Sequence, residues 1–174
     1  MNIYCSDEDN RLSDDLLNLM HRAAETALES EFGKQLKDEG LNVNELPIGL
    51  SVSIVDGDCI KELNNSFRGI DRVTDVLSFP QYADAEELLE ELEDYAADDC
   101  DDEFFSTVLG DVVICYDKAI EQAEEFGTGI TRELVYLFVH SIFHLLGYDH
   151  ETDDERCEMR AKEEDVLSAI GVTR

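Results

Sequence analysis

Three of the four histidines in this 174-residue chain lie within eleven residues, in the segment HSIFHLLGYDH. His140 and His144 are four residues apart, which on an α-helix separates them by only about 40° around the axis and roughly 6 Å along it. Gly147 suits the left-handed backbone conformation that ends a helix and turns the chain back. His150 can therefore approach the other two from beyond the helix end. Three imidazoles that converge in this way suit zinc, or another divalent ion, with one coordination position left open.

The histidines stand in an otherwise apolar segment, ELVYLFVHSIFHLL, which predicts a buried central helix from about Arg132 to Gly147. An imidazole without a partner is costly to bury, so a pair of satisfied core histidines is the less favoured interpretation. The same histidine spacing occurs in metzincin proteases, whose general base is a glutamate directly after the first histidine. Ser141 occupies that position here, so a simple metzincin is disfavoured. Asp149, beside the last histidine, remains a candidate base or partner of a ligand.

Composition excludes several classes of protein. The chain has 43 acidic and 13 basic residues and a formal net charge of −30, which rules out a surface that is basic throughout but not a local basic site. No apolar run is long enough for a transmembrane helix, and the N-terminal residues MNIYCSDEDN do not resemble a targeting peptide. Five cysteines without a C-x-x-C pair favour reduced thiols in a cytoplasmic protein. The length predicts one domain.

The first half of the chain predicts alternating strands and helices. A short strand is expected at residues 3–5, followed by a helix that Ser13 caps and that ends at Gly33. The alternating segment IGLSVSIVD after Pro47 predicts a strand with one apolar face. A helix is expected from Asp56, and VTDVLSFP predicts the next strand. Strand, helix and strand within roughly 30 residues indicate a βαβ unit with a right-handed crossover.

The second half contains an acidic segment, residues 83–103, with twelve acids and no base. It favours a flexible loop or a weak solvated helix, and an acidic tether for a basic partner is the functional alternative. VLGDVVICYD then predicts a strand that can pair antiparallel with the previous one. Gly127 ends the next helix, and Thr152 with Glu155 forms a capping box for the last. We therefore expect an α/β (α+β) fold in which about five helices pack on a small mixed sheet of about four strands.

Three segments together resemble the YbeY endoribonucleases, a single-domain family of metal-dependent RNA-processing enzymes. HSIFHLLGYDH is similar to the family signature, and LNNSFRGIDRVTDVLSFP at 63–80 resembles its Leu-Asn, Tyr-Arg-Gly and Thr-Asp-Val-Leu-Ser-Phe-Pro stretch. LGDVVIC at 109–115 resembles its Gly-Asp-Ile strand, so the resemblance extends over 50–165. Ser141 stands where the family has glycine, and Phe143 where it has leucine. The acidic segment is also longer than the family's usual link.

The resemblance implies a set of site residues. His140, His144 and His150 match the three metal ligands, and Arg68 matches the arginine that the family places by its metal cleft. Zinc, one ion per chain, is the expected metal, with nickel or another divalent ion as alternatives. Such a metal can polarise a phosphoryl oxygen and activate water, while a guanidinium holds the phosphate through two parallel hydrogen bonds.

The resemblance also implies a function. It predicts an endoribonuclease that prefers single-stranded RNA and acts in ribosomal RNA processing, at the 3′ end of the small-subunit RNA, and in ribosome quality control. We expect one domain over residues 1–174 with an acidic insertion at 83–103, located in the cytoplasm and without membrane or DNA partners. Because the net charge of −30 disfavours RNA in general, the ribosome or a ribosome-associated protein is the expected partner. The alternatives are a metal-dependent peptidase that uses Asp149 as its base, and a non-enzymatic ribosome-assembly factor with a structural metal.

Overall fold

The structure is a computed structural model that describes residues 1–38, 42–43, 46–97 and 107–173. Those residues form one α/β domain with a four-stranded sheet and six helices. The strands are β1 (Asn2–Ser6), β2 (Ile48–Val55), β3 (Val76–Pro80) and β4 (Thr107–Cys115). The helices are α1 (Asp14–Asp38), α2 (Gly57–Arg68), α3 (Ala85–Ala97), α4 (Tyr116–Phe126), α5 (Ile130–Leu145) and α6 (Asp153–Ala169). The predicted fold class is confirmed.

The sheet is mixed, with the strand order β1-β2-β4-β3. β1, β2 and β4 are parallel, and β3 runs antiparallel to β4 at one edge, with Val76 opposite Ile114 and Pro80 opposite Gly110. The expected antiparallel pairing of the two strands that flank the acidic segment is therefore confirmed.

The predicted βαβ unit formed by β2, α2 and β3 is wrong, because β4 lies between the two strands and β3 runs opposite to β2. Gly69 ends α2 with a φ of 69°, and the loop then folds back along the helix, where the side-chain amide of Asn64 donates to the carbonyl of Arg72 at 2.9 Å. The N–H of Cys115 donates to the carbonyl of Asp75 at 2.8 Å, so β3 starts beside the end of β4. Helix and loop together return the chain to the end of the sheet where α2 began, and the next strand must run antiparallel.

α5 is the buried central helix that the sequence predicts. Ten of its residues are buried, and it contacts α1, α4 and α6 as well as β3 and β4. Phe138 and Phe143 are both fully buried. Burial of each of these side chains contributes roughly 1.5–3 kcal/mol, so the core determines which way α5 is rotated.

The two faces of the sheet carry different helices. Val76 and Val112 belong to the main core together with α1, α5 and α6. Leu77 and Val113, which alternate with them along the strands, pack against Ile60 of α2 in a smaller cluster. Successive residues of a strand point to opposite faces, so α2 lies across the sheet from α5.

α1 continues past Gly33, where the sequence predicts its end, and stops at Asp38. Phe32 and Leu36 are 3% and 1% exposed. A glycine inside a helix costs only about 0.5–1 kcal/mol relative to alanine, which is less than the gain from burying these two side chains.

Among the described residues no helix, α1 included, is both long and apolar enough to cross a membrane.

α3 occupies residues 85–97 of the acidic segment, and residues 98–103 lie outside the described part of the chain. A carboxylate oxygen of Asp84 accepts the N–H groups of Glu86 and Glu87 at 3.0 Å, which satisfies donors at the start of the helix. Leu88 and Leu92, four residues apart, are fully buried. Of the two expected forms, a loop or a helix, residues 85–97 adopt the helix. Its two buried leucines pack it on the core.

If α3 is held by this pair of leucines, the Leu92→Ala variant should lose stability. We expect a decrease of about 2–4 kcal/mol in the free energy of unfolding, as for other buried leucines, measured by urea denaturation. Glu91→Ala, which changes an exposed neighbour, is the matched control and should leave the stability within about 0.5 kcal/mol. Equal stability of the two variants would show that α3 is not packed on the core.

Candidate metal centre

The structure brings His140, His144 and His150 together. The first two lie on α5, and the third lies in the segment before α6. One potential ligand atom from each of the three histidines lies within 4.8 Å of the other two. The Nε2 atoms of His140 and His144 are 3.1 Å apart. Three nitrogen donors therefore face a common point at the C-terminal end of the central helix.

Hydrogen bonds behind two of the rings determine which nitrogen faces that point. Nδ1 of His144 donates to the carbonyl oxygen of Tyr148 at 2.9 Å, because a carbonyl can only accept. Nδ1 of His140 lies 2.7 Å from a carboxylate oxygen of Glu163, which accepts in the same way. Both Nε2 atoms therefore direct lone pairs into the shared space. Two lone pairs 3.1 Å apart repel each other, so this donor set fits a divalent cation between them.

The electrostatics of the site keep His144 neutral. Burial, and then the neighbouring His140, lower the pKa of His144 to about 4. The imidazole is therefore uncharged near neutral pH, which is the form that binds a metal ion. Burial, and then Glu163, raise the pKa of Tyr136 to about 12, so this neighbouring phenol keeps its proton.

Glu163 is the site residue that the sequence analysis missed. It is 2% exposed and lies on the same face of α6 as the buried Met159 and Val166. The signal was its position at helical spacing from these apolar residues, which places a carboxylate on the buried side. A carboxylate that accepts from the far nitrogen of a histidine orients the ring and raises its basicity as a metal ligand.

The turn after α5 depends on Gly147, which has a φ of 86°. A Cβ atom at this position would lie 2.8 Å from the Cα of Asp84 and 3.0 Å from the carbonyl oxygen of Ala83. Glycine is therefore required both by the backbone conformation and by the close approach of another chain segment. The resulting turn directs the chain back so that His150 reaches the other two histidines.

Ser141, which replaces the family's glycine, fits into the helix without an unpaired group. Its side chain is fully buried, and its hydroxyl donates to the carbonyl of Leu137 at 2.9 Å. Serine hydroxyls in helices commonly bond to the carbonyl four residues earlier.

Arg68 is not brought against the histidines. It is the exposed last residue of α2, and it forms no ion pair or hydrogen bond with another described residue. Its neighbour Phe67 contacts Phe79 of β3, with ring centroids 4.9 Å apart. On the other face of the sheet, Leu145 of α5 approaches the backbone of Gly110, which pairs with the same end of β3. Arg68 and the end of α5 therefore flank one end of the edge strand from opposite sides.

Other polar residues that the sequence offers as candidates contact groups of the protein itself rather than the imidazole rings of the histidine cluster. Asp75 accepts the N–H of Val76 at 2.9 Å and the side-chain amide of Gln122 at 2.8 Å. Asp149 is exposed and accepts the N–H of His150 at 2.7 Å. Burial raises the pKa of the Cys115 thiol, which disfavours its use as a nucleophile.

A family model described as Endoribonuclease YbeY matches residues 3–171 of the chain. The chain belongs to the YbeY family. A protein of Clostridium beijerinckii named Endoribonuclease YbeY is 44% identical over 141 residues, which cover 80% of this chain and 83% of the relative. One of Clostridium botulinum strain Hall with the same name is 36% identical over 174 residues, with 99% of each chain covered.

A solved structure is also similar, the solution structure of TM1509 from Thermotoga maritima. It has 27% sequence identity and a TM-score of 0.59, and the match covers 98% of this chain and 89% of that one. The YbeY family assignment therefore agrees with both sequence and fold.

A substitution at Gly147 tests whether the turn positions the third histidine. Gly147→Ala should lose stability and should bind Zn²⁺ at least about tenfold more weakly, because the new methyl group pushes against Ala83 and Asp84 and displaces His150. Gly171→Ala is the matched control, since Gly171 has a φ of 82° but nothing within 4 Å of the added atom. It should lose about 1 kcal/mol of stability and keep its Zn²⁺ affinity, measured by competition with a chromophoric chelator. Equal Zn²⁺ affinities in the two variants would contradict this role of the turn.

Proposed function

We propose that this chain is a metal-dependent endoribonuclease in ribosomal RNA processing, with one divalent ion held by His140, His144 and His150. Membership of the YbeY family makes it an enzyme that hydrolyses phosphodiester bonds within RNA. The observation that carries the metal assignment is the convergence of three imidazoles, two of which direct Nε2 lone pairs inward.

Zinc is the metal that we propose. Three imidazole ligands and one open position are typical of catalytic zinc sites, although nickel or another divalent ion also accepts this donor set. A bound ion of this kind would polarise a phosphoryl oxygen and lower the pKa of a water molecule.

The protein's own contribution is to hold the ligands in place. The carbonyl of Tyr148 and the carboxylate of Glu163 hold the rings of His144 and His140, which are thereby oriented before any ion binds. Because His144 remains neutral at physiological pH, no proton has to leave this ring when a metal binds. An ion held by these three rings would keep a position open for the substrate.

Arg68 is proposed as the catalytic residue that binds the phosphate. Its guanidinium has no carboxylate partner among the described residues and can therefore bind a phosphate through two parallel hydrogen bonds. β3 is an edge strand, with α2 and α5 on its two faces. An RNA strand that crosses the end of β3 can contact both Arg68 and the histidines.

The substrate that we propose is single-stranded ribosomal RNA presented by the ribosome or by a protein bound to it. A net charge of −30 disfavours the close approach of free RNA, which favours a bound partner as the source of selectivity. Ribosomal RNA of bacteria is processed in the cytoplasm, and we propose the same location for this chain. In this proposal residues 1–174 act as a single domain, and the acidic segment 83–103 is an insertion within it.

Metal content and RNA cleavage, measured on the same samples, test the metal proposal. The purified protein should contain about one metal ion per chain and should cleave a single-stranded RNA until a chelator is added. His144→Ala should lose both the metal and the cleavage. His21→Ala, which changes the one histidine outside the cluster, should keep both.

Two results would contradict this proposal. Wild-type protein without metal would remove the central inference. A metal-loaded wild type that cleaves no RNA, either free or on precursor ribosomal particles, would instead favour the non-enzymatic assembly factor.

The role of Arg68 is tested at constant metal content. Arg68→Ala should reduce cleavage about 100-fold, as does loss of other groups that stabilise developing charge, and should keep its metal and its stability. Lys34→Ala removes an exposed positive charge from α1 and should cleave at the wild-type rate. If Arg68→Ala cleaves as fast as Lys34→Ala, Arg68 has no catalytic role.

A further inference from the structure

A cavity of about 580 Å³ adjoins the histidine cluster and has no role in the function proposed above. A smaller cavity of about 190 Å³ is lined by His140 and His150. Tyr136 and Arg160 line both cavities, so the two adjoin each other at these side chains. We call the larger one the side cavity; its wall includes Asp75, Gln122, Phe126, Arg132, Tyr136 and Arg160. A volume of this size is typical of small-molecule sites.

The side cavity contains two arginines, Arg132 and Arg160, together with two acids, Asp75 and Glu133. Arg160 is exposed and forms no ion pair or hydrogen bond with another described residue. The side chain of Arg132 is 11% exposed; one of its terminal nitrogens donates to Glu164 at 3.4 Å. Arg160, which lines both cavities, is therefore the guanidinium group that suits a ligand phosphate beside the histidine cluster.

One of the two carboxylates in the wall, that of Asp75, already has hydrogen-bond partners. Asp75 already accepts hydrogen bonds from the N–H of Val76 and the amide of Gln122, which stabilise its charge. Glu133 also lines the cavity but is only 2% exposed, so little of its side chain is accessible to a ligand. Arg160, in contrast, is free to move toward a ligand at the boundary of the two cavities.

Unpartnered polar atoms are also concentrated here. Five buried side-chain nitrogen or oxygen atoms in the described residues have no hydrogen-bond partner. Three of them belong to residues of this wall: Oε1 of Gln122, Oγ1 of Thr128 and Nε of Arg132. Buried polar atoms without partners destabilise a fold unless a ligand or water supplies the bond. Their concentration in one wall indicates a polar ligand.

An aromatic side chain completes the site. Phe126, the last residue of α4, is 64% exposed and lines the side cavity. An exposed aromatic ring next to arginines is the combination with which proteins bind single-stranded nucleic acid, because the ring stacks on a base and the guanidinium binds the backbone.

We propose that the side cavity binds one nucleotide of a single-stranded RNA, next to the phosphate that lies at the histidines. Arg160 binds the phosphate between the two positions, and Phe126 stacks on the base. This inference rests on the endoribonuclease function proposed above. It adds a second contact region on the far side of the histidines from Arg68, at the start of β3 rather than at its end.

Equilibrium binding of a hydrolysis-resistant oligonucleotide tests the proposal. The full-length, metal-loaded protein is titrated against a fluorescent single strand of 2′-O-methyl phosphorothioate nucleotides, with fluorescence anisotropy as the readout at several salt concentrations. Arg160→Ala should raise the dissociation constant about tenfold and reduce the slope of log K against log salt by about 0.7, the contribution of one phosphate contact. Phe126→Ala should raise the constant by a similar factor with an unchanged slope.

Matched controls separate these contacts from general effects. Lys34→Ala removes a positive charge elsewhere, and Tyr4→Ala removes an aromatic ring that is 58% exposed on β1. Both should bind as the wild type does. Arg160→Lys should recover the salt slope and part of the affinity, because it keeps the charge but not the two parallel hydrogen bonds. Cleavage by Arg160→Ala should show a raised KM with little change in kcat.

Different results would contradict the nucleotide site and the proposed endoribonuclease function. If the wild type cleaves RNA but Arg160→Ala and Phe126→Ala bind and cleave as it does, the side cavity is not a nucleotide site. If the wild type neither holds a metal nor cleaves RNA, both proposals are wrong.

Discussion

Because α5 is buried on almost every side, its rotation about its own axis is fixed. The positions of the site residues depend on this rotation. Leu, Val, Ile and Phe side chains cover most of its circumference, so only one rotation keeps them all in the core. In that rotation His140 and His144 emerge at the same side, toward α6. The core thus determines the direction of the two imidazoles before any interaction among the histidines is considered.

The remaining orientation is set by groups from two parts of the chain, α6 and the turn after α5. Glu163 reaches the first ring from α6, the carbonyl of Tyr148 reaches the second from the turn, and Gly147 returns the chain so that His150 can approach. Each contact is ordinary by itself. Together they leave three nitrogen atoms around one point, which is the arrangement that a tetrahedral ion with a free position requires.

Local sequence patterns predicted those features that depend on local physics. Side-chain periodicity predicts the apolar alternation of β2, the burial of α5 and the convergence of the two histidines on that helix. A local motif of four residues predicts the capping box of α6. The direction of β3 did not, because it depends on a loop that folds back along α2 through the bond between Asn64 and Arg72. The continuation of α1 beyond Gly33 depends on the burial of Leu36. The presence of a glycine in the sequence does not show this tertiary contribution. Glu163 stands in a run of three acids, and only its helical spacing from Met159 and Val166 distinguishes it from Glu164 and Asp165 as the buried one.

Charge in this molecule works on two length scales. At physiological salt, fields between exposed charges are screened beyond about 8 Å, so the overall charge of −30 acts mainly on approach. At contact, a guanidinium group without an ion-pair partner can bind a phosphate through two parallel hydrogen bonds. Arg68 and Arg160 both lack carboxylate partners among the described residues, and they stand at opposite ends of the region that contains the histidines.

The contact of Ala83 and Asp84 with the turn at Gly147 has an evolutionary consequence. This contact, and the leucines of α3 that follow it, come before the remainder of the connection to β4. The backbone that touches the histidine turn is thus anchored independently of how many residues come later. The entropic cost of closing a loop grows only slowly with its length, by about 0.6 kcal/mol for each doubling. Descendants of one ancestor can therefore gain or lose residues after α3 without any change in the metal ligands.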